Sequence, residues 1–321
     1  QGIPFFRYHQ YREREVTIRQ HAYNRLKLKT LKRSKPVSIN WYPGHMVRAK
    51  REIEENLRLV DMVVIILDAR APFSCINPDL QRIVGKKPVV AVLNKMDLAE
   101  PAMTRRYIER FKSEGITALP MDSVHVRGKK QVLHTLSEAY KPYAREMTAR
   151  GRRVRPARVM VAGVPNTGKS SFLNCMVGQK AAATGARPGV TRGRQWIRVQ
   201  EDIEFLDTPG IMWPKIEKAE QGYKLALLDI IGAKSYNEEE VALYLLRFLQ
   251  EKKRKILAEK FNIEDASLDV RHIFHQIGEL KGYRRRGGDV EPEKTARFLL
   301  QEFRKGRLGP ISLDDEAEPF K

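Results

Sequence analysis

Short aliphatic runs alternate along the chain with longer segments of helical spacing. The runs "VDMVVIILDAR" and "KPVVAVLNKMD", which begin at Val60 and Lys87, are rich in β-branched residues and end in polar residues. Such runs are typical of buried parallel strands with functional side chains at their carboxyl ends. Two more strands are predicted at residues 196–199 and 203–206, with a polar turn between them. The alternation of strands and helices predicts an α/β sheet flanked by helices.

From residue 222 onward the pattern is helical. The segment "NEEEVALYLLRFLQEKKRKILAEKF" begins with a capping residue, Asn237, and carries early glutamates and late lysines, the charge order that a helix favours. A second helix is predicted between Pro292 and Gly306, because proline favours the first helical turn and glycine the end. The apolar stripe of the first helix is predicted to be core: Val241, Leu245, Phe248 and Leu249.

The charge of the chain points to a polyanionic partner. Its 321 residues include 60 Lys and Arg against 39 Asp and Glu, a formal net charge of +21. The excess is concentrated in residues 7–35, 145–158 and 281–307. Nucleic acid is the leading candidate, and an anionic membrane surface is the alternative. The two cysteines form no metal-binding or disulfide pattern, and no apolar run is long enough to span a bilayer.

The segment "ARVMVAGVPNTGKSSFLNCMV" combines a strand, a glycine-bounded loop and a helix. The spacing Gly163-x4-Gly168-Lys169-Ser170 in that context is typical of a loop that cradles phosphates with its backbone N–H groups. Lys169 is predicted to neutralise the β- and γ-phosphate oxygens, and the Ser170 hydroxyl to ligate Mg²⁺. The predicted nucleotide-binding residues are Asn166, Thr167, Gly168, Lys169, Ser170 and Ser171.

Two downstream segments complete the predicted phosphate site. Asp207 of "DTPG" directly follows a predicted strand and is expected to hold Mg²⁺ through water, while the Gly210 N–H reaches the γ-phosphate. Thr191, in "RPGVTRG", is expected to ligate Mg²⁺ when the γ-phosphate is present, so that its ordering reports the nucleotide state. A plain proline-glycine turn is the structural alternative at both places.

The tetrapeptide "NKMD", from Asn94 to Asp97, predicts a loop that reads guanine. The Asp97 carboxylate can accept hydrogen bonds from guanine N1–H and the exocyclic amine, a donor pair that adenine lacks, so it selects GTP. Asn94 is expected to brace the loop and reach the base edge, and the Lys95 stem to lie along the purine face. In "MDSVH", Ser123 is a candidate for a backbone contact to the guanine oxygen.

These loops occur in rotated order, since the base-reading loops precede the phosphate loop. A parallel sheet tolerates such re-cutting, because its site is built from loops at one end of the sheet. The predicted fold is therefore α/β, a circularly permuted P-loop GTPase domain with a C-terminal helical domain. The predicted parts are a basic extension at 1–40, the GTPase domain at 41–221 and a helical domain at 222–321, whose basic block at 281–307 makes RNA its expected ligand.

The blocks "WYPGHM", "DAR", "NKMD", "GVPNTGKSS", "PGVT" and "DTPG" together resemble the circularly permuted GTPases of the RbgA/YlqF branch, from about Trp41 to Leu313. That branch assembles the large ribosomal subunit. The resemblance implies GTP hydrolysis stimulated by that subunit, contacts with its rRNA and assembly intermediates, and release after hydrolysis. The long basic N-terminal extension departs from the bacterial pattern and suggests a mitochondrial member located in the matrix. A bacterial or other organellar compartment is the alternative.

The resemblance also implies individual roles. His45 in "WYPGHM" matches the family residue proposed to position water, a part that Ile211 after "DTPG" cannot play. His45 and Lys169 are the implied catalytic residues. Asn166 matches the residue linked to K⁺ binding, and K⁺ would place positive charge near the bridging oxygens. The structural alternatives are a histidine that only packs and an asparagine that only caps its loop.

Two other functions remain compatible with the sequence: a nucleotide-gated RNA-binding scaffold, and a membrane-surface GTPase with peripheral association. The loop "KGYRRRGG", which puts Tyr283 beside three arginines, favours RNA. The segment "FFRYHQYRERE" is compatible both with an RNA-contacting arm and with the remnant of an organellar targeting region. The acidic stretch "LDDEAEPF" at the end is expected to fray.

Overall fold

A six-stranded sheet forms the centre of the fold. The computed structural model describes residues 54–76, 84–85, 87–178, 195–207, 216, 218–265, 267–285 and 287–315. The strands are β1 (Met62–Asp68), β2 (Val89–Asn94), β3 (Thr117–Pro120), β4 (Ala157–Ala162), β5 (Gln195–Gln200) and β6 (Ile203–Asp207). Their order in the sheet is β3-β2-β1-β4-β6-β5, and every neighbouring pair is parallel except β5 and β6. The predicted α/β architecture is confirmed.

The register brings the functional strand ends to one edge of the sheet. Asp68 at the end of β1 pairs with Asn94 at the end of β2, and Val161 in β4 pairs with Asp207 at the end of β6. The loops that follow β1, β2, β4 and β6 therefore leave the sheet on the same side. The rotated order of the motifs leaves this edge intact, because the edge depends on strand adjacency and not on chain order.

Both faces of the sheet are covered, and all seven residues of β1 are buried. On one face, Leu136 of α2 (Lys129–Ala149) and Phe172 of α3 (Lys169–Val177) pack in a core with Phe205 of β6. The rings of Phe172 and Phe205 lie 5.6 Å apart. Side chains alternate along β1, so Ile65 points to the opposite face, where α1 (Pro101–Ser113) packs.

The helical region contains α4 (Ala219–Leu227), α5 (Glu238–Lys252), α6 (Arg254–Phe261), α7 (Val270–Leu280) and α8 (Pro292–Arg304). Asn237 caps α5 as predicted, since its Oδ1 accepts from the N–H groups of Glu239 and Glu240. The segment predicted as one helix is broken at Lys253, whose φ is −142°. The Lys253 amine pairs with Glu100, at the start of α1, so a tertiary contact accompanies the break.

The predicted stripe of α5 is buried at Val241, Leu245 and Leu249, whereas Phe248 is only half-buried. The α8 helix begins at Pro292 as predicted and packs against α5 and α7. The predicted boundary between residues 221 and 222 falls inside α4, and the division into domains stays a prediction. Among the described residues, no helix has both the length and the apolar character needed to cross a membrane.

Leu313 and Asp314 pack against the loop that follows β1 instead of fraying. Leu313 donates its N–H to the Arg70 carbonyl at 2.7 Å. The Asp314 carboxylate accepts from the Ser74 N–H at 2.9 Å, and the Asp314 carbonyl accepts from the Tyr107 hydroxyl at 2.6 Å. Both Leu313 and Asp314 are buried, so the expectation of a frayed end is wrong for them. The rest of that acidic stretch from residue 316 lies outside the described residues.

Candidate nucleotide site

Asn94 joins the base-reading loop to the phosphate loop. Its Nδ2 donates to the Thr167 carbonyl at 2.9 Å, across 73 residues of sequence. Its Oδ1 accepts from both the N–H and the hydroxyl of Ser123, at 3.2 and 2.8 Å. All three residues are buried. The predicted bracing role of Asn94 thus has a definite geometry, and Ser123 supports it from the neighbouring loop.

Lys95 makes a second link between the two loops. Its amine donates to the Asn166 carbonyl at 2.7 Å and pairs with an Asp68 carboxylate oxygen at 2.9 Å. Its backbone adopts a left-handed conformation with φ 59°. These contacts fix the end of the side chain, so the methylene stem is held in place for the predicted contact with a purine face.

A buried charge cluster next to Lys95 was not predicted from the sequence. Asp68 is 0% exposed and Arg70 is 2% exposed, and the guanidinium donates to both carboxylate oxygens at 2.9 and 2.8 Å. Burial alone would raise the pKa of Asp68, but the charges of Arg70 and Lys95 outweigh burial and hold that pKa well below its usual range. The only sequence signal was the triplet "DAR" at the end of a strand, which the resemblance had singled out.

The glycines of the phosphate loop are required by space and by backbone conformation. A Cβ on Gly168, whose φ is 95°, would lie 2.3 Å from Asn94 Nδ2. A Cβ on Gly163, whose φ is 152°, would lie 2.5 Å from the Ile66 carbonyl oxygen. Thr167 closes the loop by donating its hydroxyl to the Val164 carbonyl at 2.9 Å. The backbone of the loop is therefore packed directly against β1 and the base-reading loop.

Lys169 begins α3 and is turned into the phosphate loop. Its amine donates to the carbonyls of Gly163 and Val164 at 3.2 and 3.0 Å. Burial lowers the pKa of Lys169 to about 8, although the charge of Asp207 acts in the opposite direction. Ser170 and Ser171 follow in the first turn of the helix and are half-buried. A cation, hydroxyl groups and a carboxylate thus lie around the helix N-terminus, which suits a phosphate with a divalent ion.

Asp97 lies in a short 3₁₀ turn after Lys95 and is exposed. Its carboxylate lies within 4.8 Å of side-chain ligand atoms of Asp122 and His125. Asp122 is occupied by its own turn, since its carboxylate accepts from the His125 N–H at 3.0 Å and contacts the His125 ring at 2.6 Å. The two predicted base-reading segments are therefore neighbours, with Asp97 at the surface where a base can approach.

Several predicted site residues lie outside the described residues: His45, Thr191 and Gly210. Among the others, Asn94, Lys95, Asn166 and Thr167 are connected by direct hydrogen bonds. The proposed contacts of each residue with guanine, phosphate, Mg²⁺ or K⁺ stay predictions. For Ser123, the N–H that was expected to reach guanine donates to Asn94.

Comparison with known proteins shows which family this chain belongs to. A family model described as "50S ribosome-binding GTPase" matches residues 158–275. Ribosome biogenesis GTPase A of Priestia megaterium is 39% identical over 283 residues, which cover 88% of this chain and 98% of that protein. Mitochondrial ribosome-associated GTPase 1 of Bos taurus is 34% identical over 294 residues, which cover 85% of this chain and 88% of that protein.

A solved structure shows the same fold. The crystal structure of GNP-bound YlqF from T. maritima has a TM-score of 0.59 and 26% sequence identity, and the match covers 85% of this chain and 100% of that one. A GDP-bound structure of the same protein also matches, with a TM-score of 0.58. The resemblance inferred from the motifs is confirmed. The chain belongs to the ribosome biogenesis GTPase A family and is a circularly permuted GTPase.

Proposed function

We propose that this chain is a GTP-hydrolysing assembly factor that binds rRNA of the immature large ribosomal subunit in mitochondria and leaves after hydrolysis. The observation that carries the proposal is the joining of the base-reading and phosphate loops by Asn94 and Lys95. A structural change in the phosphate loop can therefore be transmitted to the loop that is predicted to contact the base. Names of bacterial and mitochondrial relatives support a ribosomal role.

Asp97 selects guanine in this proposal, and Lys169 neutralises the phosphates. Glycine at 163 and 168 lets the loop backbone pack against Ile66 and Asn94, and in this proposal the N–H groups of that backbone face the phosphates. Mg²⁺ fits the donor set of Ser170, Thr191 and Asp207, because hydroxyl and carboxylate oxygens are the ligands it prefers. When bound, Mg²⁺ supplies charge neutralisation for the β- and γ-phosphates.

Hydrolysis needs a group that positions water. In the sequence, Ile211 follows "DTPG" and has no polar atom on its side chain. We assign the positioning of water to His45. In this proposal, binding to the ribosomal particle completes the catalytic site around that residue. Asn166 is exposed and offers an amide oxygen within the phosphate loop, so it suits K⁺, which would add positive charge near the bridging oxygens.

The hairpin between α7 and α8 is the proposed RNA contact. Arg284 and Arg285 are exposed, and backbone bonds shape the turn, since the Arg285 N–H donates to the Asp289 carbonyl at 2.8 Å. Tyr283 is half-buried, with its ring 5.9 Å from Phe298 in an edge-to-face contact. Both arginines are exposed and can reach phosphates, although Arg284 Nη2 also lies 3.8 Å from a Glu279 carboxylate oxygen. Tyr283 mainly supports the hairpin.

Co-sedimentation with purified ribosomal subunits tests the proposal. A non-hydrolysable GTP analogue should give binding to immature large subunits, GDP should weaken it, and small subunits should not bind in either state. Arg284→Gln with Arg285→Gln should weaken binding without changing nucleotide affinity. The variant His45→Ala should bind nucleotide and particle normally but lose particle-stimulated turnover.

Three results would contradict the proposal. Equal binding to small and large subunits would remove the large-subunit assignment. Preference for anionic liposomes over RNA would favour a membrane-surface GTPase with peripheral association. Tight RNA binding without any stimulation of turnover would favour a nucleotide-gated scaffold.

A further inference from the structure

Three non-glycine residues with left-handed backbone meet at the phosphate loop. They are Lys95, Asn166 and Asp229, with φ values of 59°, 60° and 62°. Lys95 donates to the Asn166 carbonyl at 2.7 Å, and Asn166 Nδ2 donates to the Asp229 carbonyl at 2.6 Å. Residues with side chains avoid this conformation, and those that keep it concentrate at functional sites. The base-reading loop and the phosphate loop have assigned roles, whereas Asp229 has none.

Asp229 occupies a position where glycine would be expected. It follows the end of α4, and the chain there makes two bonds of a helix-terminating motif: Ile230 N–H to the Leu225 carbonyl at 2.9 Å, and Asp229 N–H to the Ala226 carbonyl at 3.1 Å. The residue at this position needs a left-handed backbone and is commonly glycine. Aspartate tolerates this conformation better than most residues but is less favourable there than glycine, so a contact made by its side chain would explain its presence.

Arg304, in the last turn of α8, provides that contact. Its Nη1 lies 3.2 Å from an Asp229 carboxylate oxygen. Its Nη2 donates to the Ala226 carbonyl at 2.8 Å, and its Nε donates to the Leu227 carbonyl at 3.2 Å. One guanidinium therefore holds the end of α4 and the Asp229 side chain together. The planar fork of arginine suits this multiple contact better than lysine would.

We infer that Asp229, held by Arg304, is a positioning residue for the phosphate loop and acts through the Asn166 side chain. The contacts form a continuous chain from α8 to Arg304, Asp229, Asn166 and Lys95. Displacement of α8 by a ligand on the helical region would thereby reach the loop that cradles the phosphates. The inference rests on the proposed role of Asn166 and the phosphate loop in holding the nucleotide.

The variant Asp229→Gly separates positioning from stability. Glycine adopts φ 62° without strain and keeps the backbone carbonyl, but it loses the contact with Arg304. We expect kcat/KM for GTP to fall at least about threefold while Tm is unchanged or higher, a split that a purely structural residue would not give. Asp229→Asn, which tolerates the left-handed backbone and keeps an oxygen for Arg304, should retain most of the activity.

A double-mutant cycle identifies the path. Asn166→Ala should also lower kcat/KM, and Asp229→Gly in that background should add no further loss, because the two changes interrupt the same chain of contacts from Arg304 to the phosphate loop at different points. Arg297→Gln, on the exposed face of α8, is the matched control and should behave as wild type. Full turnover in Asp229→Gly, or independent losses that multiply in the double variant, would overturn the inference. A wild-type chain without GTP turnover would instead contradict the GTPase assignment itself.

Discussion

Replacing Asp68 with asparagine removes one negative charge from between two cations while keeping the shape of the side chain. Asp68 is 0% exposed, its partner Arg70 is 2% exposed, and Lys95 Nζ lies 2.9 Å from the carboxylate. The substitution leaves the buried Arg70 guanidinium without its counter-charge. Loss of one partner from a buried pair costs about 3–5 kcal/mol of unfolding free energy.

This loss should be visible as a lower melting temperature. Each kcal/mol moves the midpoint of a domain of this size class by roughly 2–4 °C, so a fall of roughly 6–20 °C is expected for Asp68→Asn. Calorimetry of the nucleotide-free chain measures it. The matched control is Glu138→Gln, in an exposed pair with Lys141, where the midpoint should not move.

The pH dependence provides a second check on the same group. The Arg70 and Lys95 charges outweigh burial and hold the pKa of Asp68 below its usual range, so the stabilisation is complete above the unfolded value of about 4 and is lost as pH falls towards the lower folded value. The difference in Tm between wild type and Asp68→Asn should therefore narrow as the pH is lowered below about 4. An Asp68→Asn chain with the same Tm as wild type at pH 7 would show that the buried ion pair does not stabilise the fold.

Three other changes follow from the same geometry. Gly168→Ala should abolish fluorescent GDP binding, because the new Cβ would lie 2.3 Å from Asn94 Nδ2 at φ 95°; wild-type affinity would contradict the described loop. Since the pKa of Lys169 is about 8, nucleotide affinity should fall as the pH rises from about 8 to 10, because the amine loses its charge. The affinity of Lys169→Arg should change little over that range. An equal fall in affinity for both proteins would exclude Lys169 as the source of the pH dependence. Asp314→Asn should lower the free energy of unfolding by about 1–3 kcal/mol in urea, because Ser74 and Lys224 contact that carboxylate; an unchanged midpoint would contradict a structural role for the chain end.

Much of the nucleotide site could be predicted because each motif follows a strand with a strong local pattern. Asn94 and Asp207 come directly after aliphatic runs, and parallel strands bring such ends to one edge. Local sequence also predicted the Asn237 cap and the start of α8 at Pro292, since capping and proline preferences depend on near neighbours.

The remaining features depend on contacts between residues far apart in the chain. Asp314 and Ser74 are separated by 240 residues, and composition alone made the acidic end look solvent-exposed. The helix break at Lys253 could not be predicted, because no proline or glycine lies near that residue in the sequence. The left-handed backbone at residue 229 favours glycine, whereas the contact with Arg304 favours aspartate. Because Arg304 is distant in the sequence, this contact could not be predicted from the sequence.

The proposed role as an assembly GTPase is best tested by measuring GTP turnover of the purified chain in potassium buffer, with and without large ribosomal subunits. We expect slow turnover by the chain alone and strong stimulation by large subunits but not by small ones, with stimulation lost in His45→Ala. Turnover that large subunits leave unchanged, in a chain that still binds them, would contradict the proposed assembly GTPase and leave His45 without a catalytic part.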